Sequence, residues 1–313
     1  MKPSNRNMQS NHSLISILMP YYRLGDFLEE AVESVKAQTY ENWELIVVDD
    51  CSPEKPAQEV LSKEKDPRIH IFRHDSNRGA YAARNTAASK SRGEFLVPLD
   101  SDDLLAPSYL EKTLNAALET GASAVYSQVK YFGNSDFIYV PSTDLGEIFS
   151  GHYPCNTLLM KREVYETVGG YKEIRLVEDT EFWISAIESG FKFAFIPEPL
   201  YLYRSHENGT IQTNRAAVGQ AFLNVLLMHQ ESVREHLQTI LKNWTEHSAT
   251  DDSQQNESQL ESNYSHLQSE FANLKEKYEV LEKRFARNEE ILASLPLLTR
   301  QISYLSFKKT GLR

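Results

Sequence analysis

Cysteine is nearly missing from this chain. Its 313 residues hold two, Cys51 and Cys155, far apart and without metal-ligand spacing. That predicts a reducing compartment and excludes a disulfide framework. Long apolar runs are missing too: no stretch of about 18 apolar residues occurs, so nothing reads as a membrane span. The opening MKPSNRNMQSNHS is polar and lacks the apolar segment of a secretory signal. Together these features predict a cytoplasmic protein. Basic charge is in deficit, 33 Lys and Arg against 44 Asp and Glu, a net −11. A general nucleic-acid binder needs a basic footprint, so none is expected as a partner. Glycine is sparse where dinucleotide-binding folds need it. The turn after the first apolar run, MPYYRLGDF, has a single glycine. The Gly-Lys-Ser/Thr element of a P-loop is absent, and so is a basic loop for a triphosphate.

What is present is the composition of a globular chain, 41% hydrophobic and 25% charged, enough for a packed core. Short apolar runs alternate with amphipathic stretches over residues 14–126. LISILMP (14–20), WELIVVDD (43–50), IHIFRH (69–74), EFLVPLD (94–100) and SAVYS (123–127) read as strands. Residues 25–38, 79–91 and 106–121 read as helices. In the first, Asp26 with Glu29 resembles a capping box, and Phe27, Ala31, Val32 and Val35 form the apolar stripe. Pro107 suits a first-turn proline and Gly121 a helix end. Continuous apolar strands separated by helices predict an α/β fold, a Rossmann-like, mostly parallel sheet flanked by helices. Ligands of such sheets gather at the carboxyl ends of the strands.

Three of those ends are chemically marked: Pro20-Tyr21-Tyr22, Asp49-Asp50, and Asp100-Ser101-Asp102-Asp103. A bare Asp-x-Asp arises about once by chance in a chain this long. Its place at the end of a buried strand gives it weight, because crowded carboxylates repel unless a cation or solvent relieves them. Farther on, VEDTEFWISAIESG (177–190) is a helix entered through two acids. FKFAFIPEPLYLYRSH (191–206) suggests two short strands around Pro197 and Pro199. Residues 216–244 suggest a long helix or helix pair.

ISILMPYYRLGDFLEEAVESVKAQTYENWELIVVDDCSPE, NRGAYAARNTAASKSRGEFLVPLDSDDLLAPSYLE and VEDTEFWI, in that order, resemble the family-2 glycosyltransferases with a GT-A fold. The resemblance covers roughly residues 14–206. It implies a nucleotide-sugar donor, a divalent cation (Mn²⁺ or Mg²⁺), inversion at the anomeric carbon, and a saccharide or lipid-linked acceptor in cell-surface polysaccharide or glycolipid synthesis. By position, Asp102 matches the metal-coordinating acid. Asp100 matches its companion, which contacts the ribose or a metal-bound water, and Ser101 lies between them. Asp103 is read as a helix-start acid. Asp50 matches the acid that pairs with the base, typically uracil, and Pro20 and Tyr22 match the loop along that base. Arg23 stands where Asn is common, and Cys51 where Gly or Ser is usual. Arg84 matches the Arg of the family's ARN and would hold the nucleotide or position the acids; a surface ion pair is the plainer alternative. Asp179 matches the general base, the alternative being a helix cap. His206 matches a position near the diphosphate, as a metal ligand or phosphate donor, or is structural. Trp183 is core or acceptor-site wall. A rival reading is an inactive glycosyltransferase-like scaffold.

These readings divide the chain into a tail (1–13), a glycosyltransferase domain (14–215), a helical extension (216–244), a polar linker (245–258), a coiled coil (259–295) and a basic amphipathic tail (296–313). Leu260, Tyr264, Leu267, Phe271, Leu274, Tyr278, Leu281 and Phe285 alternate spacings of four and three, a heptad seam. That predicts self-association or a helical partner. No acidic residue follows Glu290, and the basic, apolar end is either an ordinary polar, frayed terminus or a segment suited to the inner face of an anionic membrane.

Overall fold

The structure is a computed structural model that describes residues 12–152, 156–206 and 215–248. Cys155, nearly all of the first tail, the coiled coil and the basic tail lie outside the described residues.

The first half is a βα alternation. Its elements are β1 (Ile15–Tyr21), α1 (Gly25–Lys36), β2 (Trp43–Asp49), α2 (Ala57–Val60), β3 (Ile69–Arg73), α3 (Ala80–Lys90), β4 (Phe95–Pro98), β5 (Leu104–Leu105) and α4 (Tyr109–Thr120). Then come β6 (Ala124–Gly133), β7 (Phe137–Tyr139), α5 (Leu145–Phe149), β8 (Leu159–Lys161), α6 (Arg162–Val168), α7 (Glu178–Glu188) and β9 (Phe193–Ser205). Three helices follow: α8 (Arg215–Met228), α9 (Gln230–Glu235) and α10 (Leu237–Ser248).

All described strands join one sheet in the order β3-β2-β1-β4-β8-β6-β9-β5, with β7 on β6. β1 to β4 are parallel, and β8 runs against both β4 and β6. β1, β2 and β4 are buried throughout, as strands covered on both faces must be. One face packs Ile17, Met19, Leu45 and Val97 against Leu28, Val32 and Val35 of α1 and Leu110 and Leu114 of α4. The other packs Leu18, Ile46 and Leu96 against Ala83 and Ala87 of α3 and Phe182 and Trp183 of α7. The alanines of α3 let it lie close on the strands.

Several local expectations change. α1 starts without a side-chain cap, and Asp26 pairs with Lys55 instead of forming a capping box. Its buried stripe contains Leu28 rather than Phe27. The two short strands around Pro197 and Pro199 are one thirteen-residue strand, β9, whose register against β6 shifts near the prolines. A bulge absorbs residues that cannot donate to the ladder. Trp183 is fully buried and packs edge-on against Phe182 and Phe193, which makes it core and no wall of an acceptor site. α10 runs to Ser248, four residues into the stretch read as linker. Gly121 ends α4 in the left-handed conformation, as its place suggested.

Cys51 also adopts left-handed backbone, with φ 62°. An L-residue is disfavoured there by about 1–2 kcal/mol, and glycine is not. The Cys51 thiol makes only a long 3.5 Å contact to the Asp75 carbonyl. Cys51→Gly is expected to raise stability by about 0.5–1 kcal/mol. The urea midpoint should rise with an unchanged slope, as in any mutation that alters stability alone.

Candidate active site

The parallel pairing brings the marked strand ends to one edge of the sheet. Tyr21 lies in register with Asp49, and Asp49 with Arg73. Asp50 N–H donates to the Tyr21 carbonyl at 2.9 Å, and Leu99 N–H to the Leu18 carbonyl at 3.0 Å.

The Asp49-Asp50 pair organises two turns. The fully buried Asp49 carboxylate accepts from Ser52 N–H at 2.7 Å and Ala57 N–H at 3.1 Å, and pairs with Arg73 at 2.6 Å. Asp50 is 3% exposed. One of its oxygens lies 2.7 Å from His74 Nδ1, and the two together accept from Arg78 N–H at 2.9 and 3.0 Å and Gly79 N–H at 2.7 Å. The carboxylate expected to face a base therefore already holds the loop that leads into α3. Pro20 is buried within β1. Tyr22 is half-buried, with the Arg23 guanidinium 5.0 Å from its ring centroid.

Beyond β4 the chain turns through Asp100-Ser101-Asp102-Asp103. Asp103 is no helix-start acid: it is buried and accepts from the Tyr201 hydroxyl and from Arg204 N–H at 2.7 Å. Burial and the charges of Asp102 and Asp100 hold its carboxyl well above the usual range. The Arg204 guanidinium sits 4.6 Å from both the Phe27 and Phe132 rings and donates through Nε to the Asp102 carbonyl at 2.7 Å. It thus clips the acidic turn to β9 and α1. One residue past β9, His206 places Nε2 3.0 Å from Asp102 Oδ2, with its ring against Phe27. Burial and the Asp100 charge raise the Asp102 pKa, opposed by His206. Ser101 is buried in the same turn.

Arg84 joins this turn to α7. It is 4% exposed, although it lies in the helical ARN. One terminal nitrogen donates to Asp100 and the other to Glu178, both at 2.7 Å, and the guanidinium lies 5.5 Å from the Tyr171 ring centroid. Buried, with both terminal nitrogens on carboxylates, Arg84 is not a surface ion pair. Asn156 adds a 3.3 Å hydrogen bond to Asp100. Asp179 follows Glu178 in the first turn of α7. Burial and the Glu178 charge push its pKa up to about 6, with Arg84 opposing. Val177 precedes the helix and its side chain caps nothing, while the Asp179 carboxylate, from inside the first turn, accepts from Thr180 N–H at 2.8 Å and so meets one of the free amides of the helix start. Leu176, just before, has φ 78°, a costly conformation for a bulky residue.

The structure thus connects Asp100, Asp102, His206, Arg84, Glu178 and Asp179 through direct contacts and charge interactions. Asp50 stands two strands across at the same edge. Glu178, Asn156, Arg204 and His74 were not singled out for these roles by the sequence. Only Glu178, beside the expected base, carried a local signal.

A carboxylate with an imidazole nitrogen beside it and a second acid nearby is a donor set that suits a small divalent cation. Among the described residues no three acidic, His or Cys side chains close around one point. A bound ion would therefore complete its shell with water or ligand oxygens.

Residues 16–179 match the family described as Glycosyl transferase family 2. A Bacillus subtilis protein, TuaG, named as a glycosyltransferase of teichuronic acid biosynthesis, is 32% identical over 210 residues, 64% of this chain and 82% of its own. In solved structures, S. aureus TarS 1-349 in complex with UDP-GlcNAc superposes with a TM-score of 0.61 at 16% identity, over 75% of this chain and 73% of its own. The mannosyltransferase PcManGT of Pyrobaculum calidifontis, in complex with GDP-Man and Mn²⁺, gives 0.52 at 19% identity over 81% and 79%. Among the described residues no helix is long and apolar enough to cross a membrane.

Proposed function

The chain belongs to glycosyltransferase family 2 and has a GT-A fold, and on that premise we propose that it is an inverting, metal-dependent enzyme moving a sugar from a UDP-sugar to a hydroxyl of a saccharide or lipid-linked acceptor. The observation that carries this reading is the Arg84 bridge. It ties the acidic turn after β4 to the start of α7, so a carboxyl with a pKa of about 6 stands beside the acids suited to a diphosphate and its cation.

In this reading Asp179 takes the acceptor proton as the hydroxyl attacks the anomeric carbon, and the nucleoside diphosphate leaves from the opposite face. A base is most effective when its pKa lies near the working pH, and about 6 meets that condition. Asp102 and His206 would hold Mn²⁺ or Mg²⁺, which supplies charge neutralisation for the departing diphosphate. Asp100, braced by Arg84 and Asn156, faces the ribose side. Asp50 and its loop, with Pro20 and Tyr22, border the base. The teichuronic acid assignment of TuaG favours a role in cell-surface polysaccharide synthesis. The heptad segment would join copies of the chain, and the basic tail would hold them at the cytoplasmic face of the membrane.

A donor panel tests the reading. The full chain with Mn²⁺ should release nucleoside diphosphate slowly from a UDP-sugar, and less from GDP- and dTDP-sugars. Asp102→Ala should weaken UDP binding about tenfold in the presence of Mn²⁺, as expected for loss of metal–nucleotide coupling, and change it little with EDTA. Neither release nor metal-dependent nucleotide binding by the unaltered chain would favour the scaffold.

A further inference from the structure

The helices that follow β9 reach back to the helix that carries Asp179. α8 and α9 meet at His229, whose ring is buried. Its Nδ1 lies 2.8 Å from Glu188 Oε2 and its Nε2 3.4 Å from Glu181 Oε1, both on α7. Glu181 is fully buried, and the same oxygen accepts from Ser185 Oγ at 2.7 Å and from the Lys172 ammonium. The other Glu188 oxygen accepts from Ser232 of α9. Around this polar centre Val225 and Ile240 pack with Val177 and Ile184, and with Ile148 and Phe149 of α5.

A carboxylate such as Glu181 is costly to bury on a helix unless cations meet it. Here Lys172 before α7 supplies one, and His229 from the extension supplies a second when its ring is protonated. Such a pairing adds little net stability against an apolar replacement, but it fixes one register of the helices it joins. The helix so fixed begins with Glu178-Asp179. The family match ends at residue 179, so both the grip and the groups it grips lie outside it.

We propose that His229 is a positioning residue: by gripping Glu181 and Glu188 it sets the seat of α7 and thereby holds Asp179 in line with the acceptor hydroxyl. The proposal rests on the reading of Asp179 as the base. Burial opposes the charge on His229, but the hydrogen bonds and charges of Glu181 and Glu188 outweigh it and raise the ring's pKa above the usual value. Lys172, on Glu181, is the other charged group in the cluster. With the folded pKa raised, the grip is complete in acid and weakens as pH climbs through that raised value.

The test uses the full chain carrying His229→Ala and, separately, Glu188→Gln at the rim of the cluster. The turnover rate for donor hydrolysis should fall about tenfold in the first and less in the second, since a small misplacement of a reacting group costs rate steeply. The acid limb set by Asp179 should move away from pH about 6. The donor KM and UDP affinity should stay within about twofold, because they do not depend on the base. Hydrogen exchange of the α7 amides should quicken. Unchanged turnover and unchanged α7 exchange would overturn the proposal. So would equal losses of turnover and UDP affinity that track the folded fraction. Absence of nucleotide binding by the unaltered chain would sink the functional reading instead, while α7 exchange would still judge the latch.

Discussion

Asp179→Asn is expected to stop sugar transfer, leave UDP binding intact and make the fold more stable. The first effect follows from removing the base. Proton transfer by a positioned group contributes about 10²–10⁴-fold, so nucleoside diphosphate release should drop by that factor. The unaltered protein should show turnover rising through pH about 6 and flat above it, because Asp179 must be ionised to work. The second effect follows from the proposed placing of the diphosphate and its cation at Asp102 and His206, whose binding needs no proton transfer by Asp179. The third follows from linkage. An unfolded Asp titrates near 3.9, and this one near 6 when folded. The native state therefore binds the proton more tightly. The stability this adds is complete below about pH 4 and is lost as pH rises through about 6. Above that pH the ionised carboxylate burdens the fold, and Asn relieves a part of it, on the order of 1–3 kcal/mol. Thermal unfolding should show Asp179→Asn several degrees more stable at pH 7.5, with the gap closing toward pH 5. Retained release with an unaltered pH profile would place the base elsewhere.

That Asp179 would sit beside the acidic turn was readable in advance only through the ordered set of motifs. The parallel sheet itself was legible from residues: LISILMP, WELIVVDD and EFLVPLD are continuous apolar runs, and β1, β2 and β4 are buried throughout. Strand ends of a parallel sheet share one edge, so Tyr21, Asp50 and Asp100 could be placed together without coordinates. What stayed hidden depends on which way a side chain leans and what lies opposite it. Asp103 has the same local sequence surroundings as Asp102, yet Tyr201 and the Arg204 amide, about a hundred residues on, draw it inside. His229 follows an apolar helix, with no nearby pattern to announce Glu181 and Glu188. The prolines of β9 suggested a break, because the bulge that accommodates them is made jointly with β6. The heptad seam from Leu260 to Phe285 predicts a coiled coil and lies outside the described residues.

Arg84→Ala is expected to damage the fold and the chemistry together. As a nucleotide contact, Arg84 would cost affinity when removed and little stability. As the bridge described above, its loss leaves Glu178, 6% exposed, and the Asp100 carboxylate without their shared cation. Breaking a buried pair by removing one partner costs about 3–5 kcal/mol, because an uncompensated charge stays behind. The urea midpoint should fall accordingly. Donor hydrolysis should be lost even under conditions where the variant is folded, since the link between the acidic turn and the base is gone. Lysine is no substitute: its single ammonium cannot present two separated donors to carboxylates on opposite sides, as the planar guanidinium does. Arg84→Lys should therefore keep the net charge and lose most of the activity. Pairing Arg84→Ala with Glu178→Gln separates the two effects. Neutralising the stranded carboxylate should recover part of the lost stability without recovering turnover, and the non-additive remainder measures the bridge. If Arg84→Ala instead unfolds like the unaltered chain and loses only UDP affinity, the residue serves the nucleotide and the acidic turn is anchored to α7 by other means.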